Sequence, residues 1–373
     1  MEPKYVPSQA TSHEQQPARA WVAIGDPESF GRRRASSEPM EPAQRTAVPT
    51  RLLTALAETD DRDSPARHIG EIAEIVVGCD DTLGQWSAMA TIAAHDLSLA
   101  RAVEPHVDAL GILDEADHDL RRGAARFGWG VFAAEGQGHR LSAQRGPDGW
   151  TLRGSKPWCS LARHLTRALV TAYTGDTSRR LFAVDLTDAR ITVGDEPWAA
   201  RGLADIDSPS IRCADVPALP VGDDEWYLTR PGFAAGGIRV AAVWFGAAVA
   251  VGRTLRAAAA RRDLDQIGRM HLGAADAALH RARCVLADAA RRVDEGPATE
   301  LAALALHTRA TVRRSAEEVM DRAAHALGPA PLVRDADHAA RIADLTVYLR
   351  QEHAERDEAA LGAMVVSGQG LVL

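Results

Sequence analysis

The sequence predicts an α+β protein in which an N-terminal helical domain, a middle antiparallel β-barrel or sandwich and a C-terminal four-helix bundle follow one another. Three observations predict this order. Apolar residues recur at helical spacing up to about residue 126, and short runs of β-type residues separated by Gly, Pro and Asp follow up to about residue 224. Long helical patterns with short links fill the remainder. A chain of 373 residues is long enough for two or three such domains.

Composition excludes several kinds of protein. The formal net charge of -8 argues against a nucleic-acid partner, because phosphate contacts need a basic surface. The four cysteines (Cys79, Cys159, Cys213, Cys284) are widely separated without zinc-type spacing, so we expect no metal site and a reducing compartment. The longest apolar run, residues 240–251, is too short to span a bilayer. The sequence therefore predicts a cytoplasmic protein without a membrane or nucleic-acid partner.

The first 48 residues are rich in Pro, Ser, Gln and Glu and poor in large apolar residues, which predicts a disordered tail. Residues 49–126 form the predicted N-terminal helical domain. Within it Ile69, Ile72 and Val76 recur at intervals of three and four residues, and a later helical pattern is broken at Pro105.

Residues 127–224 form the predicted middle β-domain. The sequence Gly-Pro-Asp-Gly at 146–149 is a strong turn signal between two strands. Short strands with this regular spacing are typical of an antiparallel barrel or sandwich. The predicted strands cover residues 129–134, 139–144, 150–153, 168–173, 181–186, 190–193 and 210–213.

Residues 225–373 form the predicted C-terminal bundle. Its four helical patterns cover residues 234–262, 263–294, 298–327 and 334–363. The third pattern stops at Gly328 and Pro329, which together are a helix-end signal. Four long amphipathic helices with short links are typical of an up-down bundle.

Several segments carry a family motif. They are GWTLRGSKPWCS at residues 149–160, RPGF at 230–233, ALG at 326–328 and PLVRD at 331–335. Together with the order of helices, β-domain and bundle, these segments resemble the acyl-CoA dehydrogenase family over roughly residues 51–365. The resemblance implies the fold of that family, with FAD held between the β-domain and the bundle.

The resemblance also implies contacts with FAD. Trp158 would pack against the flavin ring and Ser160 would hydrogen-bond near its N5, and a spacing of two on a strand puts both side chains on one face. Residues 131–138 occupy the place of a family loop that binds the flavin, where Ala134 and Glu135 would offer backbone donors. Without a flavin, Trp158 would be a core residue and Ser160 an edge-strand residue.

Two more positions correspond to family contacts with the cofactor. Arg261 or Arg262 lies where a family arginine reaches the FAD pyrophosphate of a neighbouring subunit, because a guanidinium suits bidentate phosphate contact. A solvated helix end is the alternative for these arginines. Gly328 lies in the segment near the FAD adenosine. Lys156, one of only two lysines, is expected to have a structural role.

The sequence lacks the usual catalytic base of the family. Dehydrogenation of an acyl thioester needs a carboxylate that removes the α-proton while hydride moves to flavin N5. Arg350 aligns with one of the two family glutamates, and no Asp or Glu occurs between residues 232 and 252, where the other would lie. His353 is the first substitute, because it lies nearly on the helical face of Arg350, and Glu352 is the second. The alternative is that residues 350–357 form a solvated charged face.

The predicted function is that of an FAD-dependent oxidoreductase acting on an acyl thioester or related metabolite with a displaced base. One alternative is a flavin-dependent monooxygenase on the same fold, which needs no α-proton abstraction. Another is a catalytically silent family member that serves as a binding partner. The expected electron acceptor is an electron-transfer flavoprotein or oxygen. The small residues of 236–252 and the resemblance predict a homodimer or homotetramer.

Overall fold

The computed structural model describes residues 21–25, 47–59, 69–124, 128–261 and 263–372. Helices come first, a seven-stranded sheet follows, and further helices complete the chain. The largest apolar cluster contains side chains from the N-terminal helices, the sheet and the C-terminal helices alike. Because this core is shared, the boundaries between separate domains stay predictions.

The N-terminal helices are α1 (Ala47–Glu58), α2 (Ile69–Val77), α3 (Thr82–His95) and α4 (Leu97–Glu115). Asp96 separates α3 from α4 and caps α4, because its Oδ1 accepts a 2.8 Å hydrogen bond from the Leu99 N–H. Pro105 lies inside α4, so the expected break at this proline is wrong. Burial of α4 on most of its surface compensates for the backbone hydrogen bond that the proline removes.

Part of the predicted disordered tail is ordered. Residues 21–25 lie against α3, where Val22 and Ile24 are buried. The Val22 N–H donates to the Thr91 hydroxyl at 2.9 Å, and the Ile24 N–H donates to the Ser87 hydroxyl at 3.2 Å. The polar residues on either side dominate the mean composition of this region, so the composition does not reveal the short apolar segment. Residues 1–20 and 26–46 lie outside the described residues.

Seven strands follow, and each overlaps a predicted run. The turn at 146–149 joins the second and third strands, whose register pairs Gly146 with Gly149. The strands are β1 (Trp129–Phe132), β2 (Leu141–Gly146), β3 (Gly149–Lys156), β4 (Arg167–Tyr173), β5 (Arg179–Asp185), β6 (Ile191–Val193) and β7 (Ile211–Val221).

Hydrogen bonds close the sheet into a ring. The strands β2, β3, β7, β5 and β4 follow one another, and β4 meets β2 again where Tyr173 pairs with Ser142. Strand β1 pairs with β4, and β6 pairs with β7. Both β1 and β2 run parallel to β4, so the expectation of a purely antiparallel sheet is wrong. Turn signals in a sequence specify hairpins, and they carry no information on pairs between strands distant in the chain.

The C-terminal helices are α5 (Trp226–Thr229), α6 (Pro231–Arg261), α7 (Gln266–Glu295), α8 (Leu301–Leu327), α9 (Ala330–Arg334), α10 (Ala336–Tyr348) and α11 (Glu355–Val366). Helices α6, α7 and α8 match the first three predicted helices. The fourth predicted helix, over residues 334–363, is wrong as a single helix. A tight turn at Leu349–Gln351 ends α10, and Ala354 takes a φ of 40° before α11 begins.

Helix α6 is long and apolar enough to cross a membrane by length and composition. However, 61% of its most apolar stretch is buried inside the protein. It packs against α3, α7, α8 and α10, and Trp244 and Val251 are fully buried there. Its composition is therefore explained by its place in the core.

Helices α3 and α6 approach closely at Gly246. A Cβ built on Gly246 would lie only 2.0 Å from the Ala90 carbonyl oxygen of α3. We expect Gly246→Ala to lower the free energy of unfolding by about 1–3 kcal/mol, because the two backbones must separate. The matched control is Gly273→Ala in α7, where an added Cβ meets nothing within 4 Å and helix propensity favours alanine. Urea denaturation measures both; a Gly246→Ala protein as stable as wild type would contradict this packing.

Candidate active site

Trp158 and Ser160 lie in a loop rather than on a strand. Strand β3 ends at Lys156, so the argument that alternation places both side chains on one face is wrong. Trp158 takes a left-handed φ of 58°, which is unusual for a bulky residue, and its side chain remains 59% exposed. It is therefore not a core residue, and an exposed indole on a strained backbone is typical of a binding surface.

The loop of residues 133–136 packs against Trp158. A Cβ on Gly136 would lie 2.9 Å from Pro157 Cγ and 3.7 Å from the indole nitrogen of Trp158, so glycine permits the close approach. Ala134 and Glu135 precede this glycine in the same loop. The structure thus brings three of the predicted cofactor residues (Ala134, Glu135 and Trp158) to one region.

Lys156 anchors this region from inside the barrel. Its side chain is buried, and its Nζ donates to Glu135 Oε1 at 2.7 Å and to the Thr171 hydroxyl at 2.8 Å. Burial lowers the pKa of Lys156, and the Glu135 carboxylate opposes this shift. Glu135 also lies 3.3 Å from Arg179. These contacts support the expected structural role of Lys156.

Ser160 joins the loop to the helices. Its hydroxyl lies 2.8 Å from that of Ser208, and it accepts a 3.3 Å hydrogen bond from Nη2 of Arg101 in α4. The Arg101 guanidinium also lies over the ring of Tyr348, at 5.8 Å from the ring centre. The loop that contains Trp158 and Ser160, helix α4 and the end of α10 therefore meet at Arg101.

Glu104, one turn along α4 from Arg101, is a buried carboxylate that the sequence analysis missed. It accepts a short hydrogen bond from the Tyr348 hydroxyl. Burial raises the pKa of Glu104 to about 7, although the positive charge of Arg101 opposes the shift. The charge of Asp108 raises the pKa further, whereas Arg239 also lowers it. Glu104 can therefore gain or lose a proton near neutral pH.

Two more arginines complete this charged cluster, which consists of Arg101, Glu104, Asp108, Arg239 and Arg309. Arg239 of α6 pairs with Asp108. Arg309 of α8 donates to the Gly237 carbonyl at 2.9 Å and lies over the ring of Trp244, at 4.8 Å from its centre. Three helices, α4, α6 and α8, thus contribute charged groups next to the Ser160 loop.

Glu352 lies just beyond α10, where the chain has left the helix. The helical geometry used to relate Glu352 and His353 to Arg350 is therefore wrong. The Glu352 side chain is buried, and its Oε2 lies 2.5 Å from Arg313 Nε in an ion pair without hydrogen-bond geometry. Burial raises the pKa of the Glu352 carboxyl, and Arg313 and Arg309 oppose this shift.

His353 and Arg350 are surface residues. The His353 side chain is 70% exposed, and its Nδ1 lies 3.8 Å from Asp357 Oδ1. Arg350 is likewise exposed and pairs with Glu317 of α8. This arrangement matches the solvated charged face considered as the alternative, whereas Glu352 is buried.

Arg261 and Gly328 are placed apart from the contacts around Ser160. Arg261 is exposed at the end of α6, and Gly328 ends α8 with a φ of 65°. No hydrogen bond or ion pair between described residues joins either of them to the Trp158 loop or the charged cluster. Arg262 falls outside the described residues.

Comparison with known proteins finds likeness in three-dimensional structure alone, since no protein-family model and no curated protein matches the chain. KijD3 in complex with FMN and dTDP-3-amino-2,3,6-trideoxy-4-keto-3-methyl-D-glucose is 20% identical, with a TM-score of 0.72 over 89% of this chain and 95% of that one. FMN-bound TdsC from Paenibacillus sp. A11-2, a dibenzothiophene monooxygenase, is 17% identical, with a TM-score of 0.73 over 88% and 98%.

A glutaryl-CoA dehydrogenase from Mycobacterium smegmatis in complex with FADH2 is 16% identical. Its TM-score is 0.73, over 90% of this chain and 97% of that one. These matches extend over nearly the whole of each compared protein. At such low identity the likeness is one of fold, and it confirms the expected resemblance: the chain has the acyl-CoA dehydrogenase-like fold.

Proposed function

We propose that this protein is a flavin-dependent oxidoreductase that acts on a small-molecule substrate. The observation that carries the proposal is the exposed Trp158, held against Gly136 in a fold whose compared structures contain FMN or FADH2. The left-handed backbone of Trp158 adds to this observation, because strained conformations of this kind cluster at ligand-binding sites.

The residues around Trp158 fit a flavin. The indole face offers an aromatic wall, the Ser160 hydroxyl offers a hydrogen-bond donor, and the loop with Ala134 and Glu135 offers backbone donors. We propose FAD as the form that binds, with Arg261 and Gly328 reaching its diphosphate and adenosine parts. Arg261 is exposed at the end of α6, so its guanidinium can contact the diphosphate of a flavin held by a neighbouring subunit.

When bound, a flavin supplies hydride and electron transfer. The protein must then provide proton exchange, and Glu104 is the carboxylate best placed to do so beside the Ser160 loop. It is buried, it is bonded to Tyr348 and its pKa lies near 7, which suits a group that accepts and returns a proton. His353 and Glu352, which the sequence predicts as the base, are the alternatives for this role, although Glu352 already has a cationic partner in Arg313.

Two alternative reaction types are compatible with this site. The first is dehydrogenation of an acyl thioester or related metabolite, with an electron-transfer flavoprotein as acceptor. The second is oxygen insertion, which the similarity to a dibenzothiophene monooxygenase favours. Anaerobic bleaching of the flavin by an acyl-CoA supports the first, and oxygen consumption with reduced flavin supports the second. We further propose a cytoplasmic homodimer or homotetramer.

We expect Trp158→Ala to weaken flavin binding about five- to tenfold, because one aromatic stacking wall contributes about 1 kcal/mol. Quenching of flavin fluorescence during titration of the apoprotein with FAD, and separately with FMN, measures the dissociation constants. Leu219→Ala is the matched control, since this barrel residue is similarly exposed at 53%. A wild-type protein that binds neither flavin would disprove the proposed function, and tight binding of FMN alone would disprove the choice of FAD.

A further inference from the structure

Arg101 has unused hydrogen-bonding capacity. Its Nη2 donates to Ser160, but its Nε and Nη1 are buried and have no hydrogen-bond partner among the described residues. A guanidinium presents its donors as a planar fork that matches a carboxylate or phosphate. Buried donors without partners are rare in native proteins, and they indicate a missing acceptor.

Arg101 differs in its charge balance from three other half-buried or buried arginines. Arg230 pairs with Glu115 at 2.5 Å, Arg239 pairs with Asp108, and Arg313 pairs with Glu352. Arg101 forms no ion pair in the part of the chain that the structure describes. Its charge affects the pKa of Glu104, but the Glu104 Oε2 is engaged by the Tyr348 hydroxyl.

We propose that Arg101, next to Ser160, forms a subsite for an anionic group of the substrate, and that the substrate is a small molecule carrying a carboxylate or phosphate. This inference rests on the proposed function, because the subsite adjoins the loop assigned to the flavin. The anion would accept hydrogen bonds along one edge of the guanidinium, from Nη2 together with either Nε or Nη1, because Nη2 has a second N–H besides the one donated to Ser160. It would also neutralise the excess positive charge of the cluster.

The same cluster disfavours a long apolar substrate. Helices α4, α6 and α8 present Glu104, Asp108, Arg239 and Arg309 next to this subsite. An alkyl chain laid against these groups would remove them from water without offering hydrogen bonds, which is unfavourable. A polar, compact substrate avoids that penalty.

The test is isothermal titration calorimetry of the flavin-loaded protein and of the apoprotein with acetate, succinate, benzoate and inorganic phosphate. Benzamide serves as the uncharged counterpart of benzoate. We expect at least one anion to bind and benzamide not to bind. Arg101→Gln should weaken binding of that anion about 10- to 100-fold, and Arg101→Lys, which keeps the charge without the fork, should weaken it less. Arg145→Gln, on the exposed part of β2, is the matched control and should bind as wild type does.

Several outcomes would overturn the inference, and one would instead overturn the proposed function. Equal binding of benzoate and benzamide, or equal anion binding by wild type and Arg101→Gln, removes the anion subsite. Binding of no anion at millimolar concentration by either form of the protein does the same. If Arg101→Gln instead loses FAD and FMN, Arg101 holds a flavin phosphate rather than the substrate. If the wild type binds an anion but no flavin, the proposed function fails while the anion site stands.

Discussion

We expect Glu104→Gln to become more stable relative to wild type as the pH rises. Burial raises the folded-state pKa of Glu104 from an ordinary value of 4.5 to about 7. The protonated carboxyl therefore contributes stability that is fully present below pH 4.5 and is lost as the pH rises through about 7. Glutamine carries no such dependence. The difference in unfolding free energy between Glu104→Gln and wild type should rise by about 3 kcal/mol from pH 4.5 to 8.

Urea denaturation at a series of pH values measures this difference directly. The control is Glu71→Gln, because Glu71 is an exposed carboxyl on α2 and its replacement should not change the pH profile. Tyr348→Phe adds a second check. It removes a hydrogen bond that stabilises the ionised carboxylate of Glu104, so the pKa of Glu104 should rise further and stability should be lost at a higher pH. Parallel profiles for wild type and Glu104→Gln would show that folding does not change the pKa of Glu104.

Lys156→Met is expected to lower the free energy of unfolding by about 2–4 kcal/mol at neutral pH. The substitution keeps most of the volume of the side chain but removes the cation between Glu135 and Thr171. Breaking a buried ion pair leaves its partners without compensation, and the Thr171 hydroxyl is itself buried. Arg179, 3.3 Å from Glu135, keeps the loss below that of a wholly isolated carboxylate.

Arg153→Met, on the same strand, is the matched control for Lys156→Met. Arg153 also pairs with a carboxylate, Asp215, but both side chains are exposed. Solvent screens such a pair, so its loss should change stability far less. Equal losses for the two variants in urea denaturation at pH 7 would contradict the importance assigned to burial. Flavin binding should also weaken in Lys156→Met, because Glu135 belongs to the loop beside Trp158.

The sequence predicts the elements of the barrel better than it predicts the end of the bundle. Gly-Pro-Asp-Gly at 146–149 and the short β-type runs locate each strand, although β7 continues to Val221, eight residues beyond its predicted run. Residues 349–354 contain no Gly or Pro, so nothing local marks the end of α10. The chain leaves the helix because Tyr348 and Leu349 are buried and Glu352 turns towards Arg313. These contacts are tertiary, and sequence periodicity does not report them.

The candidate site likewise contains some residues that the sequence predicts and others that it does not. The sequence predicts Trp158 and Ser160 as cofactor contacts because they lie within a contiguous motif, and their role stays a prediction. Glu104 and Arg101 were missed, since their partners lie far away in the chain: the Tyr348 hydroxyl comes from 244 residues beyond Glu104. One signal was available, because Glu104 interrupts the apolar stripe of α4 between Ala100 and Val107. A carboxylate in such a stripe must find a partner or remain protonated.

The closure of the barrel through β4 has a consequence for association with other chains. Free strand edges can recruit a strand from another protein and begin aggregation. Among the described strands, β1 and β6 lie at the edges and have only four and three residues, and β2 is paired with β4 at Ser142 alone. The outer side of β1 is further covered by α4, where His106 Nδ1 accepts a hydrogen bond from the Trp129 N–H at 3.2 Å. The barrel therefore has only short edges to which a strand of another chain could add. Contacts between copies of the chain can instead use the helices, which do not promote strand addition.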